Sequence, residues 1–187
     1  MSEADKILDK ALQLGSEKGW ERLALTDIAQ SLHISLAEIY EHYKQKDDLV
    51  EAWFDRADRV LLKRGVGREW AGFKPVQRLH TAIFCWLDAL GPYRKLTAQM
   101  LLYKLEPGHI HLQAAGILRI SRTVQWFRET AALRAGNLKR IAQELELTRL
   151  YLMTFIRWLK DDSPKQQESR QFLATHLARG DRFDFWS

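Results

Sequence analysis

The sequence predicts an all-α protein of about nine helices. Two observations carry that reading. Apolar residues recur at three- and four-residue spacing along the whole chain, as in Ile7, Leu8, Ala11, Leu12 and Gly15. Nowhere do apolar and polar residues alternate as they do on a half-buried strand, and no segment repeats. Gly and Pro fall between the periodic stretches, where they stop helices.

The first helix spans residues 4–18, and Gly19 ends it because Gly takes a left-handed backbone at no steric cost. Trp20 and Leu23 follow as small-core residues. A second helix starts at Leu25 or Thr26 and carries Ile28, Ala29 and Leu32 on one stripe. His33-Ile34-Ser35 breaks it, His being tolerant of the left-handed region. Ser35 suits the N-cap of a third helix, with Glu38 at the capping-box position. Ile39, with Tyr40 or Tyr43, makes that helix's stripe. Two short helices across a tight turn form a helix-turn-helix, whose second helix can enter a DNA major groove.

Residues 47–64 form the next helix, with Leu49, Val50, Trp53, Phe54, Ala57, Val60 and Leu61 at helical spacing. Glu51, Asp55, Arg56, Asp58 and Arg59 read as its solvated face. Gly65–Gly67 ends it, and a loop to Lys74 is anchored by Trp70 and Phe73. Pro75 opens the following helix, with Val76, Leu79, Ile83, Trp86 or Leu87, and Leu90 inside. Gly91-Pro92 breaks it. Leu96, Met100, Leu101 and Tyr103 mark another, stopped by Glu106-Pro107-Gly108. The next runs from about Ile110 to Leu133, with Ile117, Ile120, Val124, Phe127 and Ala131 on one face and Gly136 at its end.

The helix from about Leu138 to Lys160 has two apolar sides. Leu138, Ile141, Leu145, Leu152, Ile156 and Leu159 share one. Leu147, Leu150, Tyr151 and Trp158 share the other. A stripe of about 100° suffices for a surface helix, so this one is either fully internal or buries a second face against a partner. A final helix carries Phe172, Leu173, Leu177 and His176.

Composition narrows the class. The single Cys85 excludes an intrachain disulfide and points to a reducing compartment; its place between Phe84 and Trp86 in an apolar helix predicts a buried packing thiol rather than a reactive one. No apolar run approaches the roughly twenty residues of a membrane span, so a soluble, cytoplasmic protein with no membrane insertion is expected. The chain is +5 overall, yet residues 1–50 hold six Lys or Arg against ten Asp or Glu, a net −4. The basic excess therefore lies in the body. No phosphate loop, dinucleotide fingerprint, Gly-x-Ser-x-Gly or Cys-x-x-Cys occurs, so no enzyme and no cofactor is expected. His109 and His111 at i, i+2 do not share a helix face and carry no metal reading.

Ile39-Tyr-Glu-His-Tyr-Lys-Gln-Lys-Asp-Asp-Leu49 brings a family resemblance. Residues 4–54 resemble the DNA-binding domain of TetR-type bacterial transcription regulators. The resemblance implies a TetR-like fold: a helix-turn-helix head on residues 1–46, a connecting helix on 47–64, and a ligand-binding and dimerising body on 65–187. It also implies a repressor-type regulator that binds a palindromic double-stranded operator as a homodimer and is released by an apolar small molecule. DNA contacts are expected from Thr26, Ser35, Leu36, Ala37, Glu38, Tyr40, His42, Lys44 and Lys46, with Tyr40, His42 and Lys46 at phosphates. Glu38 either accepts from cytosine N4 or serves as a capping residue. The pattern departs from the family at Ala24, where a capping Ser or Thr is usual, at His33, where the turn Gly is usual, and in a recognition helix without Lys or Arg.

Effector candidates are Phe84, Trp86, Met100, Tyr103, Trp126, Phe127 and Tyr151, each of which could equally be plain core. The family's four-helix dimer interface implies Leu147, Leu150, Tyr151, Trp158, Phe172 and His176. A rival resemblance exists. Asp48-Leu-Val-Glu, Asp55-Arg-Ala-Asp58 and Trp158-Leu-Lys-Asp-Asp-Ser163 are similar to TetR-fold lipid-binding accessory proteins of ubiquinone biosynthesis, which keep the fold without reading DNA.

Overall fold

The computed structural model describes residues 2–64, 68–105 and 110–187. Every regular element among them is helical: α1 (Glu3–Lys18), α2 (Leu25–Leu32), α3 (Leu36–His42), α4 (Lys46–Arg64), α5 (Arg68–Gly72), α6 (Pro75–Leu90), α7 (Arg94–Leu105), α8 (Ile110–Ala131), α9 (Asn137–Lys160) and α10 (Gln167–Asp181), with 3-10 turns at Gly91–Tyr93 and Pro164–Gln166. The breaks expected at Gly65–Gly67 and Glu106–Gly108, together with His109 and the side chain of His111, lie outside the described residues.

Two local expectations change. The segment before Lys74 is a short helix, α5, rather than a loop throughout. Trp70 does anchor it, donating its indole N–H to the Thr130 carbonyl at 2.8 Å. Gly136 does not end α8. That helix stops at Ala131, where Ala132 takes φ 57° and Leu133 N–H closes back on the Arg128 carbonyl at 3.1 Å. Gly136 instead caps the start of α9.

The chain forms two compact units. The first holds residues up to Arg56 and Leu90–Ala115. Ile7, Leu8, Ala11 and Leu12 are buried on α1 as their spacing requires, and α1 contacts both α2 and α7. Gly19 takes φ 88° at the end of α1. Helix α7 is tied to this unit by polar contacts. The Trp20 N–H donates to Gln99 at 2.8 Å, and the Trp53 indole donates to Thr97 at 2.9 Å. Lys104 is buried and meets Asp47 and Glu51, each at 2.8 Å.

The second unit holds Ala57–Ala89 and Gly116–Ser187. Its centre is aromatic: Trp86, Phe127, Tyr151 and Phe155 meet mostly edge to face with centroids 5.3–6.4 Å apart, and Trp158 lies 6.0 Å from Phe155. Asp58 is buried there, so it does not belong to the solvated face of α4. Its carboxylate accepts from the Trp86 indole at 2.7 Å and faces Arg119 at 3.3 Å. Burial and then Asp58 push the Tyr151 hydroxyl far above its ordinary range. At the end of α10, Trp186 covers Gly180 so closely that any side chain there would collide with the indole.

Which side of α9 faces inward is the main correction. Leu147, Leu150, Tyr151 and Trp158 are buried in their own chain, so they cannot form a surplus face. The exposed apolar side is the other stripe, with Leu138 at 81 %, Leu145 at 69 % and Ile156 at 58 % exposure. Val60 and Ile117, expected inside, are also exposed.

Candidate nucleic-acid interface

The helix-turn-helix is built by local hydrogen bonds. Ala24 offers no cap oxygen, and Asp27 compensates from inside α2 by accepting from the Ala24 N–H at 3.0 Å. That bond, then the pairing with Lys18, lowers the Asp27 pKa. His33 closes α2 in the left-handed region at φ 57°, ψ 40°. Ser35 and Glu38 form a complete capping box: the Ser35 hydroxyl accepts from Glu38 N–H at 3.2 Å, and Glu38 accepts from Ser35 N–H at 2.8 Å and Oγ–H at 2.7 Å. The bond from the Ser35 N–H, then the hydroxyl, lowers the Glu38 pKa. Of the two roles open to Glu38, capping is the one the geometry displays.

The apolar side of α3 is Ile39 with Tyr43, whose hydroxyl donates to the Ala4 carbonyl at 2.9 Å. Tyr40 therefore points outward and is 56 % exposed. Leu36, Ala37 and His42 are exposed beside it, as is Thr26 on α2. Lys44 folds back onto α3: its ammonium donates to the Tyr40 carbonyl at 2.6 Å and lies 4.0 Å over the Tyr40 ring. Lys46 turns inward. Its ammonium donates to the Trp20 carbonyl at 2.5 Å and the Glu21 carbonyl at 3.2 Å, between the rings of Trp20 and Tyr103. Burial lowers its pKa, opposed by Glu21. The expected phosphate cation is thus aimed at the protein in this conformation.

The seven effector candidates divide between the two units. Met100 is buried in the first unit, and Tyr103 lies beside Lys46. Trp86, Phe127 and Tyr151 are packed on one another in the second unit. Phe84 and the partly exposed Trp126 line separate clefts there. Phe172 and His176 stack on α10 with centroids 4.2 Å apart, half-buried.

The profile of bacterial regulatory proteins of the tetR family matches residues 7–53, which span α1 to α4. The crystal structure of a TetR transcriptional regulator from Nitrosomonas europaea is 42 % identical, covers 96 % of this chain and 98 % of its own, and superposes with a TM-score of 0.86. The chain belongs to the TetR family.

Other relatives match parts of it. The negative transcriptional regulator IcaR of the icaADBC biofilm operon in Staphylococcus aureus is 37 % identical over 62 residues, which are 31 % of this chain and 33 % of IcaR. The chain therefore matches about a third of the length of that curated relative. A TetR regulator from Rhodococcus sp. RHA1 shares the fold at 16 % identity, with a TM-score of 0.67 over 94 % of this chain and 93 % of its own. As a TetR-family transcriptional regulator, this protein has a recognition helix without Lys or Arg and a capping network that occupies Glu38. Among the described residues no helix is long and apolar enough to cross a membrane. Two buried ionic sites in this TetR-family chain, Asp58 with Arg119 and Asp47 with Lys104, have no signature in the sequence. Their partners lie on other helices, and no local pattern announces them.

Proposed function

We propose that this TetR-family regulator is a repressor that reads a palindromic operator through α3 as a homodimer and is released by a small molecule with an apolar body. The observation that carries the reading is the outward face of α3. It is a helix capped at both ends that leaves Leu36, Ala37, Tyr40 and His42 free for a groove. Leu36 and Ala37 offer apolar contact to thymine methyl groups, and Tyr40, Thr26 and His42 offer contacts to phosphates. Dimerisation is assigned to the exposed stripe of α9, Leu138, Ile141, Leu145 and Ile156, continued by a groove of about 410 Å³ whose walls include Ile117, Ile120 and Leu145. An isologous contact would bury this stripe against its own copy.

The test is selection of bound DNA from a random pool. A recovered inverted repeat is the expected result, and a pool without enrichment overturns the reading. One observation favours the lipid-binding rival: residues 1–50 carry a net −4, and Lys44 and Lys46 are turned onto backbone carbonyls, leaving few cations for phosphate. Under that rival, lipid is retained and no DNA is selected.

A further inference from the structure

The second unit carries a cleft of about 620 Å³ between α4, α6 and the start of α10. That volume lies within the roughly 300–1,000 Å³ typical of small-molecule sites. Val60 and Phe84 supply apolar wall, and Cys85 is half-buried beside them. Lys63 and Arg64 stand at the rim, exposed, and neither forms a hydrogen bond or ion pair with a described residue.

The opposite wall is held rigidly. Arg170 grips Asp88 through Nη2 at 2.6 and 2.8 Å, donates through Nε to the Lys165 carbonyl at 2.9 Å, and lies 4.2 Å over the Phe84 ring. His80 stacks on the other part of this wall, 5.2 Å from Phe84, with Nε2 3.2 Å from the Arg170 carbonyl. Burial lowers its pKa, so it stands neutral at physiological pH. Asp88 thus answers Arg170, and among the described residues the two rim cations remain unanswered. A cleft with an apolar wall and two uncommitted cations at one edge suits one kind of guest: an apolar tail ending in a negative group.

We propose that this cleft binds an amphipathic organic anion, with its carboxylate or phosphate head on Lys63 and Arg64 and its apolar tail along Val60 and Phe84. The guest is the effector only if the effector-released reading above holds; the binding itself does not depend on DNA. The anionic head is what this cleft adds to the apolar small molecule that the family resemblance implies.

Cys85 is the chain's one thiol and lines this cleft, which makes it a built-in reporter. The full-length protein is alkylated with iodoacetamide at mildly alkaline pH, where a thiol raised by burial still reacts. Octanoate, octyl phosphate and uncharged octanamide are added in turn, without DNA. Octanoate, octyl phosphate or both should slow alkylation several-fold, and which of them does so identifies the head group. Octanamide should protect about tenfold more weakly, as for loss of a charged contact. Lys63→Gln with Arg64→Gln should abolish the difference between anion and amide while leaving the melting curve unchanged, because both side chains are exposed. Val60→Glu, which sets a negative charge on the apolar wall, should abolish protection by the anions as well. The proposal falls if no anion protects, if the amide protects as well as the anions, or if the double glutamine variant protects like the parent. Protection by an anion in a protein that selects no DNA would leave this inference standing and remove the regulator reading.

Discussion

Leu145→Glu and a Trp158 variant separate association from folding. Both residues belong to α9, on opposite stripes. Leu145 keeps 69 % of its surface in water, while Trp158 keeps none. Full burial of a Leu contributes about 1.5–3 kcal/mol. Two-thirds of that, about 1–2 kcal/mol, remains for a partner to recover. A two-fold interface counts the residue twice, so Leu145→Glu should weaken the dimer by about 2–4 kcal/mol, or about thirty- to seven-hundredfold in Kd. Trp158→Ala empties a site in the chain's own core and should cost about 3–5 kcal/mol of folding stability. Sedimentation equilibrium across a concentration series reads the first effect, and a thermal melt of the same samples reads the second. Leu145→Glu should give well-folded monomers, and Trp158→Ala should give a low melting point. An unchanged dimer constant for Leu145→Glu, or clean monomers from Trp158→Ala at parental stability, would refute this assignment of the two stripes.

Asp58→Ala should destabilise the protein by about 3–5 kcal/mol, because the carboxylate answers Arg119 and the Trp86 indole in a buried site. For a chain of this size that is about 6–20 °C in Tm, and a melt within 2 °C of the parent would count against it. Burial by itself would raise the Asp161 carboxyl, but hydrogen bonds from Ser163 and Ser169 outweigh it and hold the pKa at about 2. A depressed carboxyl adds stability above its unfolded pKa of about 3.9, and that stability fades as pH falls toward the folded value. Asp161→Asn should therefore flatten the stability-against-pH curve between about pH 4 and pH 2, and an identical slope in parent and variant would contradict the pairing. Lys46→Gln should lower head stability by about 1 kcal/mol and leave the salt slope of operator binding unchanged, since its ammonium serves the Trp20 and Glu21 carbonyls; a slope shallower by about one unit would mean that Lys46 reaches a phosphate on the complex. Replacing thymine by uracil in a selected operator should weaken parental binding by about 1 kcal/mol per contacted methyl and leave Leu36→Ala indifferent, whereas equal losses in both proteins would place the methyl contact elsewhere.

The features legible in the sequence are local ones. The capping box of Ser35 and Glu38, the left-handed turn at His33 and the Gly19 stop each depend on residues within about four positions, so the helix-turn-helix was legible without the fold. The all-α class was legible too, because helical periodicity is a property of each segment alone. Tertiary structure decided everything that depends on distant partners. Periodicity found two apolar stripes on α9 but had no means to say which one the chain covers; packing of Tyr151 and Trp158 into the aromatic core chose. Asp58 reads as solvent-facing in a mixed-charge helix, and only the arrival of Trp86 and Arg119 from α6 and α8 makes it internal. Lys46 reads as a phosphate ligand until Trp20 and Glu21, far back in the chain, present their carbonyls to it. The rim cations Lys63 and Arg64 are an ordinary basic helix end in one dimension. They become one edge of a binding cleft because α6 and α10 bring Phe84 and Arg170 to the other side.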